Sequence, residues 1–332
     1  MPTDVSLFLR SDPTGWLLEP ENPSVRYFAL KDLMGRSCES GEVRQARSDL
    51  MTTGAVAEIL NRQEPGGHWG DPKRFYTAKY QGTVWQLIIL AEMGADPAHP
   101  QVAQACEFIL ENSQERESGG FSAYRSEKGG GGLPSYVIPC LTGNMVWSLI
   151  RLGYLHDERI QKGIGWINRI QRFDDGDTCP PKEPPYERFE MCWGKHSCHM
   201  GVVKVLKALA EIPQDQRSPQ TVQTIERAVG YLLAHHIYKK SHDLESVAKP
   251  GWLKLGFPLM YQSDVLEVLD ILTRLGVHDP RMQDAVDIVR SKQDEQGRWK
   301  LENSFNGKFL VNIEKKGASS KWITLRALRV LK

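Results

Sequence analysis

Apolar residues recur along the chain at the three- and four-residue intervals of amphipathic helices, and no stretch of any length alternates with the two-residue period of a strand. Several of these apolar stretches end alike. ALKDLMG closes at Gly35, ILAEMGAD passes Gly94, LIRLGYLHD passes Gly153 and ILTRLGVHD passes Gly276. ALAEIPQD carries Pro213 where the glycine would stand, and LRALRVLK at the C-terminus supplies a sixth copy. Glycine after the last apolar turn takes the left-handed conformation that closes a helix, and proline stops one by removing a donor. The pattern predicts six helices terminated in register, about 60 residues apart.

Between these copies lie a second helical segment and a turn rich in glutamine, glycine and an aromatic residue: Gln63-EPGGHW, Gln114-ERESGGF, Gln171-RFDDGD and Gln293-DEQGRW, with the pattern lost near HHIYKKSHD. Glutamine can bond the free backbone groups of a turn, glycine permits positive φ, and the ring can pack between neighbouring units. A two-helix unit cannot bury both of its faces alone, so the units must stack or close into a ring. The expectation is an all-α chain, an (α/α)6 toroid of six helix pairs around a central cavity. It spans residues 1–332 as one domain, with an arm at 1–22 and repeats from 23 onward.

The turns Gln63-x-x-Gly66-Gly67-x-Trp69, Gln114 to Phe121 and Gln293 to Trp299 resemble the Q-x-x-x-G-x-W repeat of squalene cyclases and protein prenyltransferase β subunits. The resemblance covers nearly the whole chain and implies inner helices that line a cavity. That fold also carries proteins that are not enzymes, so the reaction must be argued from residues.

Composition narrows the partners. The 332 residues carry 42 basic and 41 acidic side chains, a net charge of +1, which favours neither nucleic acid nor an anionic surface. The opening MPTDVSLFLRSDP lacks a basic start and long apolar core, and no run reaches the 18 apolar residues of a membrane span, so a cytoplasmic protein is expected. Six cysteines without the dense spacing of a disulfide scaffold leave buried thiols and metal ligands as competing readings.

In prenyltransferase β subunits, D-x-C-Y and H-x-C-Y-C-L-x-G open two consecutive inner helices and bring an aspartate, a cysteine and a histidine to zinc. Here Cys140 in Ile138-Pro139-Cys140-Leu141 and His196 in His196-Ser197-Cys198-His199 match the cysteine and the histidine, while Ile138 replaces the aspartate. Cys192, His196 and His199 share one face if a helix runs through Trp193-Gly194, with Cys198 pointing elsewhere. Cys140, Cys192 and His196, with His199 as a further donor, would suit zinc with one position open, and Cys179 is another possible ligand. Against this, cysteine is often buried as a small apolar residue, and histidine can simply bond at a helix end.

The family's basic clamp for a prenyl diphosphate is replaced by GGGGLPSYVIP, whose glycines read as a flexible entrance segment. Lys254, like Lys79, Lys195 and Lys321, stands near an inner-helix start and could meet an anion or simply be solvated. The squalene cyclase D-x-D-D acid has no counterpart: Asp174-Asp175-Gly176-Asp177 has the wrong order and sits in a turn. Asp264 is the better candidate acid, and with Tyr261 and Lys254 it completes a catalytic set. A buried aspartate bonded to backbone is the competing reading. Tyr80, Trp85, Tyr136, Phe257 and Trp322, with Asn144 as a polar anchor, would give a hydrophobic small molecule its wall. Three functions follow: a zinc-type enzyme on a hydrophobic, isoprenoid-like substrate; a metal-free cyclase-like lyase or isomerase using a cavity carboxylic acid; or a toroid that binds lipid or protein without catalysis.

Overall fold

Helix succeeds helix along the chain. α1 (Thr14–Leu17) precedes α2 (Pro23–Phe28), where the Asn22 side chain accepts from the Val25 N–H and Pro23 fills a first-turn position that needs no donor. α2 continues into a π-helical turn, Ala29–Leu33. There follow α3 (Gly41–Thr52), α4 (Gly54–Leu60), α5 (Thr83–Met93), α6 (Pro100–Asn112), α7 (Pro139–Arg151), α8 (Glu158–Ile170) and the single turn α9 (Glu190–Trp193). The last are α10 (His199–Ala210), α11 (Pro219–Ala234), α12 (Val265–Arg274), α13 (Gln283–Ser291) and α14 (Lys321–Leu331). Two short antiparallel pairs interrupt them: β1 (Lys239–Lys240) with β2 (Asp243–Val247), and β3 (Trp299–Lys300) with β4 (Ser319–Ser320). The computed structural model describes residues 9–305 and 307–331, so residues 1–8 of the expected arm, with most of the opening read above as lacking a basic start and an apolar core, lie outside the described residues.

Contacts group the helices into two units. One comprises Gln63–Ala234 with the short segment Met260–Gln262; the other comprises the chain up to Arg62, His235–Leu259 and the part from Ser263 onward. In the first, α5, α7 and α10 lie side by side, and α6, α8 and α11 pack behind them in turn. Every residue of α5 is buried, as expected of a helix apolar all round and enclosed. α8 instead buries one stripe, Ile160, Gly163, Ile164, Trp166 and Ile167, and is an outer helix. α7 and α10 approach closely because position 143 is glycine: a Cβ there would stand 2.6 Å from the Lys204 carbonyl carbon. A buried ion pair spans this layer, with Lys207 Nζ on α10 2.5 Å from a Glu92 carboxylate oxygen on α5 and 3.9 Å from the centre of the Trp147 ring on α7. In the other unit α14 packs on α12 and α2, with α3 against α2 and α13 against α12.

The predicted terminators are real. Gly35, Gly94, Gly153 and Gly276 all have positive φ, and Gly94 closes α5 at φ 77°. Two of the glutamine turns are staples between repeats: Gln63 Nε2 donates to the Gln101 carbonyl (2.9 Å), and Gln114 Nε2 to the carbonyls of Gly119 (3.0 Å) and Arg159 (2.6 Å), whereas Gln171 Nε2 donates to the adjacent Arg172 carbonyl (2.6 Å). Trp69, Phe121 and Trp299 are buried. A further feature escaped the sequence reading. Each of these aromatic residues donates its backbone N–H to a threonine hydroxyl on the inner helix that follows: Trp69 to Thr83 (3.2 Å), Phe121 to Thr142 (2.9 Å) and Trp299 to Thr324 (3.0 Å). In the Gln171 turn, Asp174 N–H donates to Ser197 Oγ (2.9 Å), two residues before α10 begins. The divergent copy near HHIYKKSHD is the hairpin of β1 and β2.

The glycine run is no free entrance segment. Gly131 and Gly132 are buried and donate to the carbonyls of Glu111 (3.0 Å) and Gln114 (2.7 Å). A Cβ on Gly132 would stand 2.2 Å from the Ser113 carbonyl oxygen, so glycine is required for the chain to lie against the end of α6.

Candidate functional site of aromatic rings and thiols

The inner helices of the first unit bring together an aromatic and thiol face at their N-terminal ends. The loop before α5 supplies Tyr76 and Tyr80. Tyr76 stacks on Trp85 (ring centres 5.7 Å apart, 26° between planes), and Trp85 Nε1 donates to the Tyr76 carbonyl (3.2 Å). Tyr80 lies 6.1 Å from the same indole, and its carbonyl accepts from Gln86 Nε2 (2.8 Å). Met260–Gln262 adds Tyr261, edge-on to Trp85 at 5.7 Å and near enough to Tyr80 to raise its phenol. Asn144 holds this segment, its Nδ2 donating to the Met260 carbonyl at 3.3 Å.

Cys140 is the second residue of α7, and Cys198 is the N-cap of α10. Gly201 lies beside both helix starts: a Cβ on it would stand 3.5 Å from Cys198 Cβ and 3.6 Å from the Pro139 ring. Cys192 lies in α9, and the Cys198 N–H donates to its carbonyl (3.4 Å). All three thiols are free and half-buried. Burial pushes the Cys140 thiol up to about 12, with Cys192 and Cys198 adding to the shift; burial, then Cys198, raises Cys192 to about 12. Tyr80 is raised to about 12 by burial and by Tyr261. Burial likewise raises Tyr76, with Cys140, Tyr261, Cys192 and Tyr124 as further causes, which places the phenol among these groups. Cys140, Cys192, Tyr76 and Tyr80 are therefore uncharged at neutral pH.

A second aromatic group flanks the first. Tyr124 meets Tyr136 edge-on at 4.6 Å, Tyr136 meets Phe189 at 6.1 Å, and the Arg188 guanidinium sits 5.2 Å from the Tyr136 ring centre. Tyr76, Tyr124 and Phe189 were not anticipated. Tyr76 had a signal, standing four residues before Tyr80, whereas the other two come from loops whose course no periodicity describes.

Several expected site residues have other roles. Asp264 is the N-cap of α12 and accepts from Glu267 N–H (2.9 Å) and Gly256 N–H (2.7 Å). It is only 2% exposed, with burial raising its carboxyl to about 6. Phe257 stacks on Trp322 (4.3 Å, 10°) in the core of the other unit, under the Arg326 guanidinium, and Trp85 and Asn144 are buried as well. Lys254 is exposed just after a helical turn, Pro250–Leu253.

Cys192, His196 and His199 do not share a helix face. α9 stops at Trp193 because Gly194 turns the chain to ψ −163°, and α10 begins only at His199. His196 is exposed and pairs through Nδ1 with Asp175 Oδ1 (3.3 Å), while His199 packs edge-on against Tyr231 (5.7 Å). Cys198, expected to point away, is electrostatically coupled to both other thiols. Among the described residues no three His, Cys, Asp or Glu side chains are arranged to hold a metal ion, so the donor set expected for zinc is not assembled. No helix among the described residues is long and apolar enough to cross a membrane.

No family model matches the sequence, and no curated protein matches it. Solved structures do. A protein from Actinoplanes is 12% identical with a TM-score of 0.41, covering 93% of this chain and 89% of its own. A type II terpene cyclase variant, MstE from Scytonema with geranylgeranyl dihydroxybenzoate bound, is 16% identical with a TM-score of 0.41, covering 94% and 86%. A second variant of that cyclase is 14% identical with a TM-score of 0.33, covering 86% and 96%. At these values the likeness carries no functional inference, and function is argued from the site.

Proposed function

We propose that the chain is an enzyme acting on a hydrophobic, isoprenoid-type small molecule bound at the ring and thiol face of α5, α7 and α10. The observation that carries this reading is the group Tyr76, Tyr80 and Tyr261, packed on the buried Trp85, beside Cys140, Cys192 and Cys198. Such a surface is polarisable and largely uncharged. It welcomes apolar chains, and its ring faces attract developing positive charge. The neighbouring phenols Tyr80 and Tyr261 are the candidate proton or hydrogen-bond donors; Tyr80, raised to about 12 by burial and by Tyr261, stays protonated through the physiological range.

Asp264 is not assigned that role, because both carboxylate oxygens are bonded to backbone. A zinc-dependent variant of the reading is tested separately by elemental analysis, and no step here is routed through a metal.

The test is incubation of the protein with linear and aromatic-linked polyprenyl compounds, with products read by mass spectrometry and binding by intrinsic tryptophan fluorescence. Tyr261→Phe and Tyr80→Phe should each lower turnover about a hundredfold while leaving binding within about threefold. Binding without turnover in the unaltered chain would overturn the enzyme reading in favour of a binding protein, and absence of binding would remove both.

A further inference from the structure

We propose that Cys192 and Cys198 form a reversible oxidation site, a dithiol that closes to a disulfide across the turn joining α9 to α10. The turn is already closed by backbone: the Cys198 N–H donates to the Cys192 carbonyl at 3.4 Å, and Gly194 N–H donates to Glu190 at 2.7 Å. With that N···O contact and standard bond lengths, the two Cα atoms lie within about 7 Å of each other. A disulfide spans roughly 4.4–6.8 Å between Cα atoms, so at most a small adjustment of the turn closes it. Both sulfurs belong to half-buried free cysteines, and the exposed Lys195 and His196 lie between them. The helix starts of α7 and α10 flank the pair through Pro139 and Gly201. The oxidant class is a low-molecular-weight disulfide. Cys198, as thiolate, attacks it, forming a mixed disulfide and releasing one small thiol; Cys192 then gives up its proton, attacks the Cys198 sulfur of the mixed disulfide and releases the other. Two protein thiols and one small disulfide thus give one protein disulfide and two small thiols. The bond would tie the α9 turn to the N-cap of α10 beside Tyr76, so the state of the thiols would set the shape of the ring and thiol face. The inference does not depend on the substrate proposed above.

The experiment uses the full chain equilibrated in reduced and oxidised glutathione, acid-quenched, alkylated, and cut with trypsin. Cleavage after Arg188, Lys195 and Lys204 separates Cys192 and Cys198 into the peptides Phe189–Lys195 and His196–Lys204. Oxidation should lower the intact mass by about 2 Da, the two hydrogens lost, and link these two peptides. Reductant should restore them. Cys140→Ser should keep the link, whereas Cys192→Ser and Cys198→Ser should each abolish it. Recovery of both peptides unlinked, as alkylated or glutathionylated species, overturns the proposal. So does a dominant link from either cysteine to Cys140. The mapping on the unaltered chain decides the matter even if a serine variant fails to fold.

Discussion

The threonine that receives each turn's backbone N–H can be tested at Thr142, where two effects oppose each other. Its hydroxyl accepts from Phe121 N–H (2.9 Å) and donates to the Ile138 carbonyl (2.9 Å), and the residue is fully buried. Thr142→Val keeps the shape and adds apolar surface but orphans the Phe121 N–H, a loss of about 1–3 kcal/mol. Thr142→Ser keeps the hydroxyl and removes one methyl, about 0.8 kcal/mol. If the hydrogen bond governs, valine is the worse substitution. If burial governs, valine is neutral or stabilising and serine is the worse. Thermal and urea unfolding of both variants, followed by circular dichroism, decides the order. For a unit of this size the valine variant should melt about 3–10 °C lower. A valine variant as stable as the unaltered protein would refute the claim that the hydroxyl anchors the turn.

Two further outcomes follow from the structure. Burial raises the Asp264 carboxyl from 3.8 to about 6, so the folded chain keeps a proton that the unfolded chain releases. Its contribution is therefore present at low pH and lost as pH rises between about 4 and 6, by roughly 3 kcal/mol. Asp264→Asn should flatten that part of a stability profile measured by urea unfolding at a series of pH values; an unchanged slope would show that the carboxyl is not raised. Alanine should have opposite effects at two glycines. Gly143→Ala, pressed on the Lys204 backbone, should lose about 1–3 kcal/mol, while Gly230→Ala, within α11 with nothing within 4 Å of a new Cβ, should gain about 0.5–1 kcal/mol. Equal melting shifts at the two positions would contradict this reading of the packing.

The helix pairs and their ends were legible in the sequence because their causes are local. Gly94 and Gly153 must take positive φ wherever a helix stops on them, and the all-round apolar TVWQLIILAEM can only be an enclosed helix. Tyr80, Tyr136, Cys140 and Tyr261 were also found from the sequence, since each stands at or near an inner-helix start. The rest was decided by tertiary structure. Asp264 looked like a cavity acid until two backbone N–H groups, one of them eight residues back at Gly256, were seen to claim it. Phe257 and Trp322 looked like a wall until they stacked on each other out of reach of solvent. The Cys192–His196–His199 stripe assumed a helix through Gly194, and that glycine ends it, sending His196 to Asp175 and bringing Cys198 to the other thiols. Periodicity states which face a helical residue shares with its neighbours. What that face meets is fixed by residues distant in the chain, and for a turn the periodicity states neither.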